Sequence, residues 1–237
     1  PRFASPTQSS NAKNKKKAPK SDKIVYKWIQ PKVFWLPDTF GYSGNLPQIM
    51  QGFNMPYFLS QKLSWNLTCK FQHTTFLWEG IDGSNVIAHF PPSDTYNAEG
   101  SCKEVLKSLS NHKTLTHSKR SLLLFGHGDG GGGPALSHIE QIKRLQKCKG
   151  MPLIETKTTP DQFFKDVESE FGVRVNQSLP SANSNSQKYT NASAFSLPVH
   201  KPPPPKWVGE LYLELHQGTL TSQANIKKQN RQCENRL

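Results

Sequence analysis

The amino-acid sequence predicts an α/β fold built on a parallel sheet that forms a partial barrel. Three short apolar runs, at Phe34–Leu36, Thr75–Trp78 and Ser121–Phe125, each lead into a polar loop that contains glycine. Apolar residues recur at helical spacing in the segments 98–110 and 136–148. Strands that alternate with helices in this way are typical of α/β domains.

The elements are expected in a definite order along the chain. A first strand ends near Leu36 and leads into the loop 38–45, and a pair of strands follows on either side of the turn Gly80–Gly83. Thr159 and Pro160 suit the N-cap and the first position of a helix. The remaining expected elements are a helix at 98–110, a strand at 121–125, a helix at 136–148 and a strand at 152–156.

Three aspartates follow the predicted strands. In parallel sheets the ligand-binding loops gather at the carboxyl ends of the strands. The sequence therefore predicts that the loops carrying Asp38, Asp82 and Asp129 share one rim of the sheet.

Composition separates organised from unorganised regions. Residues 1–28 carry eight Lys or Arg and one acid, a net of +7, and residues 172–205 carry three basic residues and no acid, a net of +3. Together these segments hold +10 of the total +13. A disordered basic tail at 1–28 and a disordered insert at 174–206 rich in Pro, Ser and Asn are predicted. The basic residues lie outside the predicted folded elements, so nucleic-acid binding is not expected.

The remaining features bear on location. No run approaches the ~20 apolar residues of a membrane span, and no signal peptide is recognisable. The four cysteines have no metal-knuckle or redox spacing and look like reduced thiols. A cytoplasmic location is predicted, with a vacuolar or lysosomal lumen as the alternative.

Four motifs in a fixed order resemble those of glycoside hydrolase family 38, in particular its cytosolic or vacuolar class II α-mannosidases. The resemblance covers roughly residues 29–171 and 207–237. The motifs are Phe34–Ser43 with Leu46–Gln48, Trp78–Ser84, Gly128–Pro134, and Trp207–Thr219 followed by Thr221–Gln223.

The resemblance implies the roles of two carboxylates. Asp38 corresponds to the catalytic nucleophile of the family, which is also a zinc ligand. Retaining glycosidases need a second carboxyl group about 5–5.5 Å away as acid and base, and Asp129 is the candidate. Two alternatives stay open: Asp129 caps a glycine-rich turn, and Asp82 is the acid.

The resemblance also implies a Zn²⁺ cofactor, which orients sugar hydroxyls. His216 corresponds to the C-terminal histidine ligand. The family takes its other two ligands from an H-x-D motif near the start of the catalytic domain, and no histidine precedes Asp38 here. His127 precedes Asp129 with this spacing but is not assigned to zinc. Weak zinc binding and poor turnover are therefore expected.

The side chains expected to contact sugar lie in or near the same motifs. Aromatic rings stack on the apolar faces of pyranoses, and carboxylates or amides bind hydroxyls; each residue suits core or rim packing equally well. The candidates are Trp35, Tyr42, Trp65, Trp78 and Asp82, with Lys62, Asn66 and Glu79 as weaker ones.

These observations predict a chain with four regions. A tail (1–28) precedes an α/β catalytic domain (29–173), an insert (174–206) and the start of a helical domain with the ligand His216 (207–237). The predicted function is zinc-dependent, retaining hydrolysis of terminal α-mannosyl residues in oligosaccharides, in a fragment whose longer parent could form homo-oligomers. The alternatives are an inactive carbohydrate-binding or structural remnant and an interaction protein with a basic tail.

Overall fold

The computed structural model describes residues 30–175, 202–220 and 223–236. The predicted tail at 1–28 and most of the predicted insert at 174–206 lie outside these residues. The elements described below all belong to one compact unit, which begins at Pro31.

The central feature is a five-stranded mixed sheet. Its strands are β1 (Val33–Trp35), β2 (Tyr57–Leu59), β3 (Thr75–Glu79), β4 (Asn85–His89) and β5 (Lys206–Val208). They lie in the order β1-β2-β4-β3-β5; β1, β2 and β4 are parallel, β3 is antiparallel to β4, and β5 is parallel to β3. The α/β class is confirmed, although the sheet is mixed rather than parallel throughout.

A tight hairpin joins β3 to β4 and reverses the direction of the chain. Asp82 accepts hydrogen bonds from the backbone N–H of Ser84 at 3.1 Å and from its hydroxyl at 2.6 Å. Gly83 takes φ +88°, which suits glycine. Because β3 runs opposite to β1, this turn lies at the end of the sheet away from Asp38. The prediction that Asp82 shares a rim with Asp38 is therefore wrong.

The helices follow the expected order. Ser101 and Glu104 form a capping box at the start of the helix that begins at Cys102, and the Thr159 hydroxyl accepts from the Gln162 amide at 3.2 Å at the start of the helix that begins at Pro160. The predicted helices at 98–110, 136–148 and from Thr159 are confirmed with shorter bounds. The helices are α1 (Leu46–Gly52), α2 (Cys102–Ser110), α3 (Leu136–Leu145), α4 (Pro160–Phe171) and α5 (Ala224–Glu234), with 3₁₀ turns at Lys62–Trp65 and Gln217–Leu220.

Two predicted strands are absent from the described part of the chain. Segment 152–156 has no strand, and segment 121–125 has only an isolated bridge between Ala98 and Phe125. The amide of Leu122 bonds instead to a histidine side chain, and the carbonyl of Leu124 accepts from Ala98. These side-chain and single-bridge partners replace a continuous ladder.

The segment after residue 205 begins in the sheet, not in a helical domain. Trp207 lies in β5 opposite Trp78 of β3. Leu211 then forms an antiparallel bridge with Tyr42. The helical part starts only at Ala224, so the predicted boundary at residue 207 is wrong.

Apolar side chains cover both faces of the sheet, because successive strand residues point to opposite sides. One face carries Phe58, Phe76, Trp78 and Val86, which pack against Leu211. The other face carries Tyr57, Leu59 and Ile87 and packs against α4. The α4 contacts are Phe163, Phe164, Val167 and Phe171.

A buried histidine ties the chain after α2 to this second face. The Leu122 amide donates to His89 Nε2 at 3.1 Å, so Nδ1 carries the proton and donates to Thr75 Oγ1 at 2.9 Å. Burial, with a contribution from His112, holds the pKa of His89 well below its usual value of 6.5. His89 therefore folds in its neutral form.

This arrangement predicts a loss of stability in acid. The unfolded chain binds a proton at His89 below about pH 6.5 and the folded chain does not, so the free energy of unfolding falls as pH drops below that value. His89 contributes up to about 1.4 kcal/mol per pH unit to this slope. In urea unfolding at pH 7.5 and pH 5, His89→Gln should show a shallower pH dependence than the wild type. The exposed His127→Gln variant is the control, and an unchanged slope in His89→Gln would contradict the assignment.

Candidate active site

Asp38 lies in the loop that follows β1. The amide of Leu36 still bonds to the carbonyl of Leu59 at 2.9 Å, so the chain leaves the sheet just before Asp38. Its carboxylate is 43% exposed and pairs with Lys62 Nζ at 2.6 Å. The predicted nucleophile is thus at the carboxyl end of a parallel strand, with a cation already beside it.

Lys62 begins the 3₁₀ turn after β2 and is enclosed. Its side chain is only 4% exposed. The ammonium lies 3.4 Å from the ring centroid of Trp65 and 5.2 Å from that of Phe40. Aromatic faces attract cations, so the two rings and Asp38 together form a site for a positive charge.

His216 lies against the same aromatic pair. Its ring centroid is 5.1 Å from that of Phe40 and 5.8 Å from that of Trp65. The side chain is exposed and the backbone has φ +60°. The structure therefore brings His216, from the last motif, next to residues that flank Asp38 and Lys62.

Two polar side chains hold the His216 segment in place. Asn66 donates to the carbonyl of Tyr212 at 2.9 Å and accepts from the Glu214 amide at 3.0 Å. The Glu214 carboxylate accepts from the amides of Leu67, Thr68 and Cys69. These backbone bonds, led by that of Cys69, lower the pKa of Glu214.

The contacts that Asn66 and Glu214 make between residues 66–69 and 212–214 form the Asn66 clamp, and they differ from what the sequence predicted. Asn66 is buried, so it acts on the chain itself rather than on sugar hydroxyls. Glu214 was not predicted to have a role at all. The Glu-x-His spacing was a possible signal, because a carboxylate two residues before a ligand can fix its loop.

Asp129 lies on the glycine-rich loop after segment 121–125. It is exposed, and the Tyr96 hydroxyl donates to its Oδ1 at 2.8 Å. This hydrogen bond is the main cause that raises the pKa of Tyr96 to about 12, and the charge of Asp38 contributes to the same rise. Asp129 thus acts on this hydroxyl by a hydrogen bond and Asp38 by its charge. A direct approach of Asp38 to Asp129 stays a prediction.

A cleft of about 390 Å³ flanks these two loops. Trp35, with 43% of its surface exposed, offers an aromatic face there. The mixture of apolar walls with nearby carboxylates suits a small polar ligand. The lining residues are Trp35, Pro37, Tyr96, Leu123, Leu124 and Phe125.

Three predicted sugar contacts are corrected by the structure. Trp78 is fully buried, and its indole donates to the carbonyl of Gly209 at 2.7 Å. Tyr42 is buried as well; its hydroxyl donates to the carbonyl of Leu36 at 2.8 Å and bonds to Ser60. Neither ring face is open to a pyranose. Asp82 is at the other end of the sheet, as described above.

The weaker candidates have internal partners too. Glu79 pairs with Lys206 of β5, and Lys62 pairs with Asp38. Trp35 and Trp65 keep exposed surface and remain candidates for stacking on sugar. Of the aromatic side chains predicted to contact sugar, Trp35 in the cleft and Trp65 beside Lys62 therefore remain candidates.

The described residues do not fit a complete zinc site. They contain no group of three or more His, Cys, Asp and Glu side chains able to hold a metal ion. Catalytic zinc normally has three protein ligands and an open position. Asp38 and His216 supply two at most, and Asp38 is already paired with an ammonium.

Asp38 after a parallel strand and Asp129 on a glycine-rich loop, near an open cleft of an α/β sheet, supply the two kinds of carboxyl group that a glycoside hydrolase needs. Residues 25–191 match the family model for the "Glycosyl hydrolases family 38 N-terminal domain". The chain belongs to this family.

Individual relatives agree with the family match. The chain is 46% identical over 201 residues to "Alpha-mannosidase G" of Dictyostelium discoideum and to "Alpha-mannosidase 2C1" of Homo sapiens, with 85% of this chain and 16% of each relative covered. It is 37% identical over 214 residues to "Alpha-mannosidase" of Saccharomyces cerevisiae, with 88% and 17% covered. The chain therefore spans about one sixth of the length of these relatives.

Among solved structures, an alpha-mannosidase from Enterococcus faecalis is similar at 17% identity and a TM-score of 0.45, with 76% of this chain and 18% of that chain covered. Within the described ranges, no helix has the length and apolar character needed to cross a membrane.

The Asn66 clamp generates a prediction about stability. Asn66→Ala removes the partners of the Tyr212 carbonyl and the Glu214 amide, and unsatisfied buried groups cost about 1–3 kcal/mol each. The free energy of unfolding in urea should fall by at least about 1 kcal/mol. The exposed Asn97→Ala variant should stay within about 0.5 kcal/mol of wild type. Equal values for the two variants would show that the clamp does not form.

Proposed function

We propose that the chain is part of the catalytic region of a retaining α-mannosidase that removes terminal α-mannosyl residues from oligosaccharides. The observation that carries this proposal is the hydrogen bond from Tyr96 to Asp129 beside an open cleft with an exposed tryptophan, with the charge of Asp38 also acting on Tyr96. The names of the relatives support mannose as the sugar.

In the proposed reaction Asp38 attacks the anomeric carbon and forms a glycosyl-enzyme ester. Asp129 gives its proton to the departing glycosidic oxygen, then takes a proton from the water that hydrolyses the ester. The Tyr96 hydroxyl donates to Oδ1 of Asp129 and so leaves Oδ2 to carry the transferred proton. Tyr96 thus orients the acid while remaining protonated, because its own pKa is raised to about 12.

Two tryptophans are proposed to hold the sugar. Trp35 faces the cleft, and Trp65 is 47% exposed beside Phe40 and His216. Each presents an apolar ring face of the kind that stacks on a pyranose. Trp65 also lies over Lys62, so a sugar there would meet both an aromatic face and a nearby positive charge.

Zinc belongs to the proposal only in a limited sense. The resemblance to the family implies a zinc ion at Asp38 and His216, where it would orient sugar hydroxyls. With two candidate ligands among the described residues, we expect this chain to bind zinc weakly and to hydrolyse its substrate slowly.

A cytoplasmic location also stays a prediction; four free cysteines are compatible with a reducing compartment. Homo-oligomers are proposed only for a longer parent chain.

A second candidate function is a carbohydrate-binding or structural remnant without turnover. The Lys62–Asp38 ion pair favours it, because a carboxylate held by an ammonium is a weaker nucleophile than a free one. Covalent trapping separates the two candidates.

We expect 5-fluoro-α-mannosyl fluoride to label Asp38. The anomeric fluoride of this reagent leaves readily, and its 5-fluorine slows hydrolysis of the glycosyl-enzyme ester. The ester therefore accumulates even if Asp38 attacks slowly. Intact-mass and peptide mass spectrometry should show one added glycosyl group on the Asp38 peptide. Asp38→Asn should abolish the label, and Asp82→Asn, at the other end of the sheet, should retain it. Absence of any label on the folded chain would favour the remnant.

The Asp129→Asn variant tests whether Asp129 is the catalytic acid that protonates the leaving group. Release of an alkyl alcohol needs protonation, so a single turnover on methyl α-mannoside should slow by about 10²–10⁴-fold. Dinitrophenyl α-mannoside, whose leaving group is a stable anion, should be cleaved in its first step nearly as fast as by wild type. Equal losses on both substrates would remove Asp129 from this role.

A further inference from the structure

Lys62 differs from the other cations of the described residues. Its side chain is 4% exposed, whereas the Lys and Arg side chains of six other ion pairs among the described residues are at least 41% exposed. Its ammonium has three neighbours that favour positive charge: the Asp38 carboxylate at 2.6 Å and the rings of Trp65 and Phe40. The surroundings thus make a fitted cation site that the chain fills with its own side chain.

We propose that Lys62 is the resident cation of Asp38 and that it excludes a divalent metal ion from this carboxylate. The inference rests on the proposed place of Asp38 in the active site. It adds a second obstacle to the lack of a third ligand among the described residues, because Lys62 contacts both Asp38 and the aromatic pair that lies against His216. Lys62 is then a specificity-determining residue: it decides which cation the site accepts.

Electrostatics gives the reason. Zinc binds carboxylate oxygen at about 2.0–2.2 Å. A zinc ion on either oxygen of Asp38 would therefore be no more than about 7 Å from an ammonium that remains 2.6 Å from the same group. At that distance a dication and an ammonium repel each other strongly in a partly buried site. Zinc can bind only if Lys62 leaves the aromatic pair or loses its charge.

The first experiment compares zinc binding by calorimetry in the metal-free, full 237-residue chain and in three variants. Lys62→Met keeps an unbranched apolar stem and removes the charge, so its zinc affinity should rise at least about tenfold over wild type. Lys62→Arg keeps the charge and should remain as weak as wild type. The Asp38→Asn/Lys62→Met double variant should lose the gain.

Unchanged affinity in a folded Lys62→Met variant would overturn the proposal. So would a gain that survives the Asp38→Asn change, because the metal would then bind elsewhere. Folding is checked by circular dichroism and by the urea midpoint.

A second measurement uses the wild-type chain alone and stays valid if the variants misfold. Reductive methylation followed by peptide mass spectrometry should modify Lys62 much more slowly than Lys70, which is exposed. Saturating zinc should speed the modification of Lys62 at least about threefold and leave Lys70 unchanged. Equal rates for the two lysines without metal would overturn the proposal. Neither experiment needs turnover, so failure of the trapping test and failure of this inference are distinguishable.

Discussion

The return of segment 206–216 to the sheet is the constraint on which the candidate site depends. Strand β5 pairs with β3, the buried indole of Trp78 donates to the carbonyl of Gly209, and Tyr42 and Leu211 exchange two backbone bonds of 2.9 Å. These contacts fix the end of the described chain against the loop after β1. Without these contacts the chain would not hold His216 near Phe40, since the two residues are far apart in sequence.

The three parallel strands explain why the chemistry collects at one edge. Asp38 follows β1, Lys62 follows β2, and Tyr96 lies in the loop after β4. Because parallel strands end at the same side of a sheet, residues from three separate segments converge without any long excursion of the chain. The antiparallel strand β3 takes no part in this edge, and its hairpin closes the opposite side.

Sequence reasoning found the helix that begins at Thr159 because its cap and proline signals are local. It missed the direction of β3, although the short turn Gly80–Ser84 allows only antiparallel neighbours. It also left the environment of Trp78 open, since the alternation of one strand does not say which face is covered. Buried Lys62 was the hardest to foresee: lysine is almost never fully buried unless paired, and its partner Asp38 is distant in sequence.

Glu214 binds residues 67–69 through three backbone N–H groups, and the Cys69 side chain adds a further contact. The side chains of Leu67 and Thr68 are exposed, so these two positions accept any residue other than proline, which has no N–H to give. Leu67, which is 73% exposed, thereby becomes a practical attachment point. A dye carried there on an introduced azide-bearing side chain would lie beside the anchor of His216 and leave its three backbone donors intact.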